Sequence, residues 1–99
     1  MAIYKNLTSA DTHTLIAKGS NVSGNIKKIL ITNSDNTTSN NVGIQLNDGA
    51  GSPTTYQIFR TEIPAQASIL LEDNLKFDSS SYSLEAITDA SAKITIIIK

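Results

Sequence analysis

The fold class is decided by the stretch Lys93-Ile94-Thr95-Ile96-Ile97-Ile98-Lys99. Five β-branched residues stand between two lysines, without proline or glycine, which favours a strand guarded against edge-on aggregation. Because successive side chains of a strand point to opposite faces, Ile94 and the isoleucines at alternate positions after it define one face, and Ile97 lies on the other. This strand is therefore apolar on both faces.

The same β-forming pattern recurs along the whole chain. Short runs rich in β-branched residues alternate with clusters of Gly, Asn, Asp, Ser and Pro, and 14 isoleucines favour strands over helices. The predicted strands are Ile3–Leu7, Thr14–Ala17, Asn25–Thr32, Val42–Asn47, Thr55–Thr61, Ser68–Glu72, Tyr82–Ile87 and Lys93–Ile98. We therefore expect one all-β domain over residues 1–99, an antiparallel β-sandwich or jelly roll of about eight strands.

Composition excludes several classes of function. The 99 residues carry eight basic and nine acidic side chains, scattered with a net charge of −1, and include no cysteine and no tryptophan. Such a chain lacks the basic footprint of a nucleic-acid partner and the thiolates of a zinc or redox site. Neither a secretion signal nor a membrane-spanning run is evident. We expect synthesis in the cytoplasm, no membrane or nucleic-acid partner, no cofactor and no small-molecule substrate.

Catalytic and metal sites are weakly indicated. His13 is the one imidazole available as a general base, and its position before a strand favours a packed or exposed histidine instead. The closest acidic residues are Glu72, Asp73 and Asp78. Adjacent strand residues face opposite sides, unlike the paired carboxylates of a glycosidase, and a turn position explains these acids better. Oxygen ligands in the loops 33–41 and 47–53 could converge on calcium, but turn capping explains them better. We therefore do not expect an enzyme.

The same two loops support an alternative function. The segment 33–41 has nine polar residues and no apolar anchor, so we expect a solvent-facing excursion, and 47–53 is typical of a hairpin loop. Together they would form the site of a receptor- or glycan-binding module. The candidate exposed loop contacts are Asp35, Asn36, Asn40 and Asp48.

Two large apolar residues point away from the core-facing side of their strands. In Asn25–Thr32, Ile29 and Ile31 share one face, and the other face carries Ile26, Lys28 and Leu30. Leu30 thus points away from the core that Ile29 and Ile31 enter. Ile97 breaks the alternation of the last strand in the same way. Either these strands are central and buried on both faces, or Leu30 and Ile97 lie beneath a neighbouring subunit. We take Leu30 and Ile97 as the candidate assembly surface.

Several segments between residues 29 and 98 form a recognisable pattern. They are Ile29-Leu30-Ile31-Thr32-Asn33-Ser34-Asp35, Val42-Gly43-Ile44-Gln45-Leu46-Asn47-Asp48-Gly49, Ile63-Pro64-Ala65, Ile69-Leu70-Leu71-Glu72-Asp73-Asn74-Leu75-Lys76-Phe77, Tyr82-Ser83-Leu84-Glu85-Ala86 and the final strand. This pattern resembles the small β-sandwich structural proteins of tailed-phage virions, of the head-decoration or fibre type. Two positions depart from it, with Gln66 in place of a glycine after the proline turn and Ser79-Ser80-Ser81 in place of a Gly/Asp turn.

The resemblance implies a structural role and transfers no catalytic residue. It implies a virion protein, made in the host cytoplasm, that acts as a capsid-decoration (cement) protein or a fibre-associated accessory protein. The implied partners are copies of the chain itself, with a trimer as one option, and a major capsid protein or another virion protein. The apolar strand faces would be buried between copies, at about 25 cal/mol per Å² before the cost of ordering.

Overall fold

Eight strands make up the regular structure of the protein. The computed structural model describes residues 2–20, 25–76, 78–89 and 93–99. Its strands are β1 (Ile3–Leu7), β2 (Asp11–Ile16), β3 (Asn25–Asn33), β4 (Asn40–Asn47), β5 (Thr55–Ile63), β6 (Ser68–Lys76), β7 (Ser83–Thr88) and β8 (Ile94–Ile98). All eight predicted strands are confirmed, although several are longer than predicted. Phe77, at the end of one quoted segment, lies outside the described residues.

The strands form two four-stranded antiparallel sheets that pack face to face. Sheet I has the order β1-β8-β3-β6, and sheet II has the order β2-β7-β4-β5. Each strand of the first half pairs with its counterpart in the second half: β1 with β8, β2 with β7, β3 with β6 and β4 with β5. A chain paired in this way is one long hairpin folded over on itself, which is the connectivity of a jelly roll. The predicted antiparallel β-sandwich is confirmed.

The core lies between the two sheets and is mostly aliphatic. Its fully buried residues include Ile31, Val42, Ile44, Ile63, Leu84, Ala86, Ile94, Ile96 and Ile98. Burying one such large side chain contributes about 1.5–3 kcal/mol. The face predicted for the alternate isoleucines of β8 is confirmed, because all three of them are inside. These contacts hold the inner face of sheet I against the inner face of sheet II.

One face assignment in β3 was wrong. Alternation put Ile26 on the same side as Lys28 and Leu30, but Ile26 is buried in the core. The backbone N–H groups of Lys27 and Lys28 both donate to the carbonyl of Lys99, at 2.8 and 3.0 Å. Two residues of β3 therefore oppose one residue after β8, and this local irregularity returns Ile26 to the inside.

The edge strands are built in ways that hinder pairing with another chain. The register of β2 shifts between Thr14 and Ile16, and Ile58 is an extra residue in β5. The pairing of β6 with β3 is also irregular. The fourth edge strand, β1, has only five residues, and its exposed Lys5 shares the inner face with Ile96. Bulges, short edges and inward-facing lysines all disfavour strand addition, so contacts with other molecules are expected at the sheet faces.

Asn33 and Asn40 are buried at the two ends of the β3–β4 connection, with 0% and 2% of their surface exposed. The Asn33 amide Nδ2 donates to the carbonyls of Thr38 (2.9 Å) and Ile63 (3.0 Å). Its Oδ1 accepts from the Asp35 N–H at 3.0 Å and from Asn40 Nδ2 at 3.4 Å. The Asn33 side chain thus has partners for both of its polar atoms.

The expectation of an unanchored loop over 33–41 was therefore wrong at both ends. Asn40 is a buried residue of β4, and its assignment as an exposed loop contact was wrong. The absence of apolar residues suggested full exposure, but a side-chain amide with matched partners can anchor a loop as an aliphatic residue would.

A second backbone feature lies in the β5–β6 turn. Gln66 has φ of 61°, in the left-handed region where an ordinary residue costs roughly 1–2 kcal/mol relative to glycine. Its N–H donates to the Asp35 carbonyl at 3.1 Å, and its Nε2 donates to Asn36 Oδ1 at 3.0 Å. The side chain thus joins this turn to the β3–β4 loop, a contact that glycine would not make.

We predict that Asn33→Asp lowers the free energy of unfolding by about 2 kcal/mol or more, because a carboxylate oxygen would replace the amide that faces two carbonyls. Denaturant unfolding at pH 7 measures the change. The matched control is Asn36→Asp, the same substitution at an exposed position, which should change stability by less than about 0.5 kcal/mol. Equal effects of the two substitutions would contradict the anchoring role of Asn33.

Candidate assembly surface

One row of side chains on the outer face of sheet I is apolar across all four strands. Tyr4 pairs with Ile97, Ile97 pairs with Leu30, and Leu30 pairs with Leu70. Because directly paired residues point to the same side of a sheet, each strand contributes one large side chain to this outer row. We use the name outer row for Tyr4, Ile97, Leu30 and Leu70.

The described residues of the chain leave the outer row uncovered. Tyr4 is 67% exposed and Leu70 is 47% exposed, while Leu30 and Ile97 between them are half-buried. Leu30 and Ile97, the two residues predicted from the sequence, are thus directly paired on the outer face. Sequence reasoning missed Tyr4 and Leu70, because only the strand order and register place them in line with the other two.

A surface depression of about 240 Å³ lies on the outer face of sheet I, beside three residues of the outer row. Leu30, Leu70 and Ile97 supply its apolar lining, and Lys28 and Lys99 line it on the side of the neighbouring row. A surface with an apolar floor and a polar rim is typical of a protein–protein contact.

The outer row is bounded by hydroxyl groups on one side and by charges on the other. The adjacent row on the first side is Asn6, Thr95, Thr32 and Ser68, with Thr32 Oγ1 and Ser68 Oγ 2.9 Å apart. On the opposite side, Lys99 and Lys28 exchange backbone hydrogen bonds of 2.9 and 3.0 Å, and Lys28 pairs with Glu72. The two flanks of the outer row therefore differ in charge.

The outer face of sheet II is polar by comparison. Glu85, on the central strand β7, accepts hydrogen bonds from Gln45 Nε2 at 2.9 Å and Asn47 Nδ2 at 3.3 Å. Across from Ile87 on the same face lies Gly43, which pairs in turn with Arg60. Ile87 is thus an isolated half-buried isoleucine, without the apolar neighbours that Ile97 has.

Asp35, Asp48 and Asp78 each close the turn in which they lie. Hydrogen bonds from the backbone N–H groups of Thr37 and Thr38 lower the pKa of Asp35, and those of Ala50 and Thr54 lower the pKa of Asp48. The pKa of Asp78 is lowered chiefly by the hydroxyls of Ser80 and Ser81. The turn-capping interpretation of Asp35 and Asp48 is confirmed.

The two polar loops do not come together. The β3–β4 loop and the β4–β5 loop lie at opposite ends of β4, an eight-residue strand about 25 Å long. The first loop contacts the β5–β6 turn through Gln66, whereas Asp48 in the second accepts a 2.8 Å hydrogen bond from Lys18 Nζ at its carbonyl. The prediction that both loops line one site was wrong, and Asp35 and Asn36 lie far from Asp48. In the described ranges, no three His, Asp or Glu residues form a group that could hold a metal ion.

His13 holds the β1–β2 turn against β7. Its Nε2 lies 3.0 Å from the Ser9 carbonyl and 3.1 Å from Thr88 Oγ1, and Thr88 itself donates to Ser9 at 2.7 Å. Because the Ser9 carbonyl can only accept, Nε2 carries the proton in this arrangement. The half-buried His13 is thus a packed residue with a structural role. 'Packed' was one of the two alternatives to a general base that the sequence favoured, the other being an exposed histidine.

Comparisons with protein-family models, with curated proteins and with solved structures return no match. Within the part of the chain that the structure describes, no helix has the length and apolarity needed to cross a bilayer. Among the described residues, the outer row is the surface feature that points most directly to a function.

We predict that stability falls on acidification because of the turn carboxylates. Their folded pKa values lie below the ordinary value of 3.8, so their stabilisation is complete above that pH and is lost as the pH falls through the folded values. Thermal unfolding between pH 7 and pH 2 measures the loss. The triple variant Asp35→Asn, Asp48→Asn, Asp78→Asn should show a shallower decline below pH 4, and an unchanged profile would contradict the prediction.

Proposed function

We propose that the protein is a virion structural protein, a capsid-decoration or fibre-associated accessory protein that works through protein–protein assembly. The observation that carries this proposal is the outer row, an apolar line across all four strands of sheet I that its own chain leaves open. Jelly rolls are one of the architectures used by viral capsid domains, as well as by lectins and cupins. The proposed partners are copies of the chain and a capsid or other virion protein.

Among the residues that the structure describes, the other exposed apolar side chains do not form a comparable surface. Tyr56 and Ile58 lie on the edge strand β5, where they are 51% and 38% exposed. The Tyr56 ring packs edge-on against Tyr82, with ring centroids 6.0 Å apart, and Ile58 is the extra residue of a bulge. Single exposed apolar side chains are common on soluble proteins, whereas a contiguous apolar row marks an interaction site.

The mechanism we propose is burial of surface. The Cα positions extend over 39 × 28 × 17 Å, so the molecule is a slab with broad sheet faces. A stable interface takes about 800 Å² from each partner, which one broad face can supply. The irregular edge strands make edge-to-edge addition unfavourable, and the apolar outer row makes contact through the face of sheet I favourable. No chemical step is needed for such a role.

We predict that the purified chain self-associates and that Ile97→Asp and Leu70→Asp each abolish the association, because each buries a charge in the contact. Analytical ultracentrifugation over a range of protein concentrations measures the self-association. Each variant has a matched control on sheet II: Ile87→Asp for the central strands and Ile58→Asp for the edge strands. Both controls should associate like the parent, and thermal unfolding should show that all four variants fold. A parent that is monomeric at every concentration would contradict the proposal.

Association with particles is a separate test of the virion assignment. In a culture that makes the protein, an antibody should detect it in particles banded on a density gradient. The Ile97→Asp chain should be depleted from that band, because the assembled form that associates with the particle depends on contact through the outer row. Recovery of the parent protein only outside the particle fraction would contradict the assignment.

A further inference from the structure

We propose that a second copy of this chain docks on the outer row, with the two-fold axis of the dimer running along the row. This inference rests on the proposed function, and it adds the identity of the partner and the geometry of the contact. The observation that selects the geometry is the difference between the two flanks of the outer row. One flank carries hydroxyl groups, and the other carries Lys99 and Lys28 with one glutamate, Glu72.

Only a few arrangements bury all four residues of the outer row at once. In a symmetric dimer, the same patch of both copies meets across a two-fold axis that lies in the plane of the contact. Packed sheets keep their strands within about 30° of alignment or cross at about 90°, and a crossing would cover only the centre of the row. Two aligned arrangements remain, with the axis either along the strands or along the row.

An axis along the strands brings like charges together. It reverses the strand order of the second copy, so that β8 lies over the partner's β3. Lys99 then faces the partner's Lys28, and Lys28 faces the partner's Lys99. Glu72 lies beside Lys28 on the same flank, but it is the one acidic residue there against two lysines. The two lysine pairs therefore leave a net positive charge beside the apolar contact, and each lysine would lose solvent while facing another cation.

An axis along the row avoids this repulsion. Each strand then lies over the same strand of the second copy, and the two flanks exchange places. Lys99 faces the partner's Thr95 and Lys28 faces the partner's Thr32, so that ammonium groups meet hydroxyl groups that can accept hydrogen bonds. The outer row meets itself, residue by residue, and the apolar contact is continuous. A trimer cannot do this, because a three-fold axis joins two different patches.

The four positions of the outer row allow a direct test by cross-linking, because the chain has no cysteine of its own. Tyr4 and Leu70 lie on the two edge strands of sheet I, about 14 Å apart at 4.8 Å per strand. Facing sheets lie about 10 Å apart, a distance that a short bismaleimide can span. Single variants Tyr4→Cys and Leu70→Cys therefore report which strand lies over which.

With the axis along the row, each variant should form a cross-linked dimer with itself, and a mixture of the two should give few mixed dimers. With the axis along the strands, mixed dimers should dominate, which would overturn the inference. Ile58→Cys on sheet II is the control and should not cross-link. If one of the two variants is isotope-labelled before mixing, mass spectrometry distinguishes mixed cross-linked dimers from identical ones.

A second variant tests the facing of the flanks without cross-linking. Thr95→Asp should lower the dissociation constant roughly two- to fivefold, the range of an exposed ion pair, because Thr95 faces the partner's Lys99 in the proposed dimer. In the other arrangement Thr95 faces the partner's Thr32, so an unchanged or higher dissociation constant would overturn the inference.

A parent that never associates would defeat the proposed function as well. An oligomer that gives mixed cross-links, none at all, or a trimeric mass would defeat this inference alone.

Discussion

The two faces of a pleated strand impose the constraint on which the rest of this structure depends, because β8 is apolar on both of them. Its alternate isoleucines are sealed in the core against sheet II, and this burial holds the sandwich together. Ile97, between them, must then point outwards, where the register places it beside Leu30. The residue type that favours the fold also leaves an apolar surface that the fold cannot cover.

The remaining surface of the molecule directs contacts towards that face. Bulges interrupt the longer edge strands, and β1 is short and carries an exposed lysine on its inner side. The outer face of sheet II is occupied by the hydrogen-bonded group of Glu85, Gln45 and Asn47. These features limit other modes of association, and within the described part of the chain they leave the outer face of sheet I as the apolar face on which the proposed assembly depends.

Much of this fold could be predicted from local patterns, and the parts that could not depend on long-range pairing. Alternation correctly placed Leu30 and Ile97 outside the core, but Tyr4 and Leu70 join them only through the order β1-β8-β3-β6. Ile26 was misplaced because a bulge reverses the period of two. Asn40 was expected in solvent, since a polar sequence does not reveal that a buried amide will find partners. The two polar loops were expected together, although a strand that connects two loops separates them by its own length.

The most direct measurement is the reactivity of individual tyrosines as a function of protein concentration. Tyr4 lies in the outer row, and Tyr56 lies on β5 of the other sheet; both are at least half exposed in one chain. Hydroxyl-radical footprinting read by mass spectrometry should show that the oxidation of Tyr4 falls as concentration rises, while that of Tyr56 stays constant. Equal and constant oxidation of both tyrosines at every concentration would contradict burial of the outer row between molecules.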